Sequence, residues 1–177
     1  DPFRMRDMEA GAERLAAAIR GGERVMVYGD YDVDGTTSTA MMLTFLQSQG
    51  VDASFFIPNR FEHGYGLSRH GLDLAAARGA TLVVALDCGI TAVDEAAYAR
   101  QIGVDLIIAD HHTAGETIPD AAAVLDPKRP DCDYPFDGLS GCGVGFKLIQ
   151  ATLRVLGLPD EEAWPYLDLV AVSTASD

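Results

Sequence analysis

Short apolar runs recur along the chain, and stretches of helical length and pattern separate them. The runs are RVMVYG, ASFFIP, TLVVALD, VDLIIAD and AAVLDP. They are strand-length, rich in Val and Ile, and bounded by Gly, Pro or Asp, so they predict five strands. Between them, amphipathic patterning and end signals predict helices over 7–20, over 36–49 closed by Gly50, and from a Ser68 cap to Gly79. Another is predicted over 91–102, one opens in SGCGVGFKLIQATLRVL, and a last one is capped by Asp160 with Pro165 in its early turns. Strand alternating with helix means βαβ units. The expected fold is α/β and doubly wound, a mainly parallel five-stranded sheet with helices on both faces. At 177 residues the chain suits one domain with a proper core, and no repeat or linker divides it.

Sheets of this kind bind ligands at the carboxyl ends of their strands, and the acids fall there. Asp30, Asp32 and Asp34 follow the first strand, Asp87 ends the third, and Asp110-His111-His112 ends the fourth. If the backbone stays extended, alternation puts Asp30, Asp32 and Asp34 on one face. Like charges that close repel unless something positive lies between them.

Four readings of DYDVDG compete. A solvated acidic turn is the bland one. A calcium loop of EF-hand type fails, because Met41 holds the position of the closing Glu and a strand precedes the motif. A dehalogenase-type phosphatase would use Asp32 as nucleophile and Asp34 as general acid. That reading offers only Lys128 and Lys147 as its lysine and leaves both histidines idle. A two-metal site uses every acid and the histidines. Mixed oxygen and imidazole ligands favour Mn²⁺, with Mg²⁺ the alternative.

A net charge of −14 argues against a generally nucleic-acid-binding surface, although bound cations and a basic domain outside this chain would offset it. No apolar run is long enough to cross a bilayer and no signal peptide precedes Asp1, so a cytoplasmic protein with no membrane partner is expected. Cys88, Cys132 and Cys142 are an odd number without zinc spacing and read as reduced thiols, ahead of a Cys132–Cys142 disulfide.

The motifs DYDVDG, VALDCGI and IIADHH together resemble the DHH phosphoesterase superfamily, and within it the branch of exonucleases specific for single-stranded DNA. DPFRMRDM, PNRFEHGYGLS, LSGCGVGFKL and LDLVAVSTASD extend the resemblance over almost the whole chain. It implies that residues 1–177 are a DHH catalytic domain whose DHH-associated and nucleic-acid-binding domains lie beyond it. It implies a pair of Mn²⁺ or Mg²⁺ ions held by Asp32, Asp34, Asp87 as the bridge, His111 and Asp177. Asp30 joins them where many superfamily members have histidine. His112 would face the scissile phosphate and Asp110 would orient a histidine. Arg60 and His63 either solvate a loop or contact phosphate, and Tyr65 either packs or stacks a base. The SGCGVG turn, with Ser140, Gly141 and Gly143, either permits tight packing or cradles a phosphate beside Lys147.

The implied activity is 5′→3′ hydrolysis of single-stranded DNA in repair and recombination, with a single-strand-binding protein as partner. Rivals within the superfamily are oligonucleotide and cyclic-dinucleotide phosphodiesterases and manganese pyrophosphatases; PNRFEHGYGL favours the exonuclease. A non-catalytic replication scaffold would be expected to have lost ligands.

Overall fold

The computed structural model describes residues 1–59 and 66–177. The strands β1 (Val25–Tyr28), β2 (Ala53–Phe56), β3 (Leu82–Leu86), β4 (Asp105–Ala109) and β5 (Ala123–Leu125) form one sheet in the order β2-β1-β3-β4-β5. Every pairing is parallel. The helices are α1 (Met8–Gly21), α2 (Val33–Ser48), α3 (Arg69–Ala77), α4 (Val93–Gln101), α5 (Gly141–Leu156) and α6 (Leu167–Ser176). Period-two alternation sends Val25, Val27, Val84, Leu86, Ile107 and Leu125 into one core, with α1, α2 and α5. It sends Met26, Tyr28, Val83, Ala85 and Ile108 into the other, with α3 and α4. The expected doubly wound α/β sheet is what forms. The chain leaves β1 for β2 on one side and later crosses to β3 on the other. The strand order therefore reverses between β1 and β3, which opens a crevice beyond their carboxyl ends.

Local details differ from expectation. Helix α2 starts at Val33, three residues before Thr36, because Asp32 caps it: Gly35 N–H donates to Asp32 Oδ1 at 2.8 Å and Thr36 N–H to Asp32 O at 3.0 Å. Asp34 is thus helical, and the three acids do not share one extended face. Asp160 does not cap the last helix. Its carboxylate is drawn to Arg154, and Asp160–Tyr166, with Pro165 inside, forms a 3₁₀ segment running into α6. All three cysteines are free: Cys132 Sγ accepts from Arg6 N–H, and Cys142 Sγ lies 3.8 Å from Met41 Sδ. Among the described residues no helix is long and apolar enough to cross a membrane.

Candidate metal centre

Parallel register aligns the strand ends. Tyr28 pairs with Ala85, Leu86 with Ala109, and Ala109 with Leu125. Carried one or two residues onward, the same register puts Asp30, Asp87, Asp110 and Asp126 in one row across four strands. The Asp87 and Asp110 amides continue the ladder, donating to Ala109 O and Leu125 O, both at 2.9 Å. None of the four is more than 1% exposed. Asp126 is the member that sequence reasoning missed; its signal was that AAVLDP ends in Asp like its neighbours. Its Oδ1 accepts from Lys128 N–H, its Oδ2 has no hydrogen-bond partner, and burial pushes its carboxyl up to about 6.

Asp34 enters the crevice from the first turn of α2. Its Oδ2 accepts from Gly141 N–H at 2.6 Å; its Oδ1 accepts from Cys142 N–H at 2.8 Å and Ser173 Oγ at 2.7 Å. The positive end of α5 therefore meets a carboxylate. Close approach is possible because residue 141 is glycine: a Cβ there would lie 2.6 Å from Asp87 Cβ. Of the two readings of this turn, the described hydrogen bonds fit packing: the Gly141 amide serves Asp34, and the Gly143 amide serves Ser140 Oγ at 3.1 Å. Lys147 does not join it, since its Nζ donates to Gln150 Oε1 at 3.0 Å.

Asp110 is fully employed by its neighbours. Its Oδ1 receives His111 N–H, His112 N–H and His112 Nδ1, the last at 2.7 Å, and its Oδ2 receives Ile90 N–H at 2.9 Å. Burial alone would raise its carboxyl, but the His112 and Ile90 hydrogen bonds outweigh that and hold it below the usual range. In return, the Asp110 hydrogen bond raises His112 to about 9, against the opposing effect of burial.

Asp87 and His111 behave differently. Asp87 Oδ1 and His111 Nε2 stand 3.2 Å apart, both buried, yet neither has a hydrogen-bond partner. Burial pushes Asp87 up to about 7, with the charges of Asp34 and Asp32 adding to it and His111 opposing. Asp87 draws the His111 pKa upward in turn. Asp87 also holds a left-handed backbone, φ 59°, which aims its carboxylate into the crevice. His111 Nε2 lies 3.6 Å from Asp34 Oδ2, and its Nδ1 lies 3.6 Å from Asp177 Oδ2.

These atoms fit divalent cations. Oxygens about 2.1 Å from a six-coordinate ion stand roughly 3 Å from one another, which is the spacing of the orphaned Asp87–His111 pair. Ligand-type atoms gather in three overlapping groups: Asp34 with His111 and Asp177, Asp30 with Asp32 and Asp87, and Asp87 with His111 and His112. Asp87 and His111 each belong to two of them. Arg60, His63 and Tyr65 lie outside the described residues.

The chain is similar to known proteins in sequence and in fold. The family model "DHH family, N-terminal domain" matches residues 24–174. The single-stranded-DNA-specific exonuclease RecJ of Bacillus subtilis is 46% identical over 177 residues, 100% of this chain and 22% of that protein. A crystal structure of exonuclease RecJ bound to manganese superposes with a TM-score of 0.87 at 37% identity, over 97% of this chain and 43% of that one. RecJ of Thermus thermophilus in complex with Mn²⁺ gives 0.78 at 34% identity, over 96% of this chain and 24% of that one. The chain thus spans less than half the length of each of these relatives. With its acids and paired histidines on the strand ends where the family model runs, the chain belongs to the DHH family.

Proposed function

We propose that this chain is the catalytic core of a divalent-cation-dependent phosphodiesterase acting on single-stranded DNA, a 5′→3′ exonuclease of repair and recombination. The observation that carries the metal reading is the buried pair Asp87 Oδ1 and His111 Nε2, 3.2 Å apart and each without a hydrogen-bond partner, where the ligand groups meet. Manganese or magnesium bound there would activate water and neutralise charge on the phosphoryl oxygens. The choice of substrate is supported by the relatives, which are named for single-stranded-DNA exonuclease activity.

The residues divide the work. Asp34, His111 and Asp177 would hold one cation and Asp30, Asp32 and Asp87 the other, and Asp87 is assigned the bridging role because it also groups with His111. His112 is half-exposed and keeps its proton up to about 9. With Nδ1 engaged by Asp110, its Nε2–H is left for a phosphate oxygen, where a fixed positive charge stabilises the transition state. The net charge of −14 disfavours a polyanion, and the grip on the strand falls to parts of the longer relatives that this chain does not span. A cytoplasmic setting is supported by the three unpaired thiols. A single-strand-binding protein as partner rests on the family resemblance.

Calorimetric titration with Mn²⁺, followed by hydrolysis of 5′-labelled single strands, tests the reading. The wild type is expected to bind about two equivalents. Asp87→Asn, chosen because Asn tolerates the left-handed backbone, should lose that binding and the activity together. Absence of Mn²⁺ binding by the wild type would overturn the metal centre. Wild-type turnover by Asp87→Asn would overturn the bridging role.

A further inference from the structure

We infer that Ser173 is a positioning residue of the metal centre: its buried hydroxyl leaves Asp34 a single ligating oxygen and fastens the helix that carries Asp177. The inference rests on the metal reading above. Ser173 is the only buried residue of α6, and its Oγ lies 2.7 Å from Asp34 Oδ1 and 2.6 Å from Ser140 Oγ. One hydroxyl carries one proton, so the direction of this relay can be worked out. A carboxylate oxygen cannot donate, so a 2.7 Å contact with it requires the Ser173 proton. Ser140 Oγ already accepts from Gly143 N–H, which leaves its own proton for Ser173. The relay runs Ser140 to Ser173 to Asp34.

The consequence falls on Asp34. Its Oδ1 is filled by Ser173 and by Cys142 N–H, with the Ser38 hydroxyl at 3.3 Å; the Ser38 proton goes to Asp34 O at 2.7 Å. Its Oδ2 has one amide donor, Gly141 N–H, and faces His111 Nε2. Only Oδ2 therefore has a lone pair left for a cation, and the carboxylate is held against rotation. The same hydroxyl ties α6 to α2 and α5, four residues before Asp177 places its carboxylate against the far nitrogen of His111. Ser173 thus controls two members of the Asp34–His111–Asp177 group without touching a cation.

Two serine variants separate this role from a merely structural one. Ser173→Ala should weaken Mn²⁺ binding at one site by about 10–100-fold, the usual effect of losing a group that orients a ligand, while the Asp30–Asp32–Asp87 position keeps its affinity. Ser173→Thr, which retains the hydroxyl, should restore binding. The readouts are calorimetry on the full chain and the electron paramagnetic resonance signature of a coupled Mn²⁺ pair, which Ser173→Ala should lose. Equal affinities in Ser173→Ala and wild type would overturn the inference and leave the metal reading standing. A wild type that binds no Mn²⁺ would overturn the metal reading itself.

Discussion

Asp110 and Asp87 are neighbours in one register row, yet their surroundings give them opposite tasks. Asp110 has its charge answered by four donors from its own chain, whereas Asp87 has an oxygen that no donor reaches. A pH prediction follows for His112. Its bond to Asp110 raises the imidazole from 6.5 to about 9, so the bond is fully stabilising below about 6.5 and is lost as pH rises through about 9. An imidazole NMR titration should place the His112 midpoint near 9, and Asp110→Asn should return it toward 6.5; an unchanged midpoint would refute the pairing. Gly141→Ala makes a second test. Its Cβ would meet Asp87 at 2.6 Å, and overpacking of this kind costs about 1–3 kcal/mol, measurable by urea unfolding together with loss of Mn²⁺ binding. At this scale sequence picks out which side chains converge, because a strand-end acid is visible as a letter. It hides whether a donor reaches the carboxylate. Gly141 and Ser140 accordingly read as well for a phosphate as for Asp34, since the partner of the α5 amides is 107 positions away.

Elements were legible where period and punctuation agreed. Ser68 before α3 is such a case: its Oγ accepts from Gly71 N–H at 3.2 Å and also meets the Tyr28 hydroxyl. Ser68→Ala should cost about 1 kcal/mol in unfolding experiments. Legibility failed where one residue serves two elements. Alternation through Asp30, Asp32 and Asp34 suggests extended chain, but Asp32 also satisfies the orphan amide of Gly35, and that local bond starts α2 three residues early. Asp160 failed in the opposite way. It has the chemistry of a cap, but Arg154 from the preceding helix offers its guanidinium first. A cap is predictable only when no cation from a neighbouring element competes for the same carboxylate.

For the whole molecule, several acids gather where the strands end, so a cation that binds only the folded state should stabilise it by mass action. At a free concentration about 100 times its Kd, the gain is about 2.7 kcal/mol. Scanning calorimetry should show the wild-type Tm rising with Mn²⁺ and that of Asp87→Asn staying flat; a rise in both would place the ion elsewhere. Fold class was readable at this scale because five apolar runs and the segments between them leave few topologies. The strand order was not, since the runs do not say on which side of β1 the next strand docks. Asp177, against His111 just past α6, has a further consequence, one of timing. A ribosome releases the acids after β1 early and Asp177 long afterwards. The group Asp34–His111–Asp177 exists only once the late helix has docked on segments made long before. Cation loading at that position therefore waits for every layer around the sheet, and an occupied site certifies that early and late segments have already met.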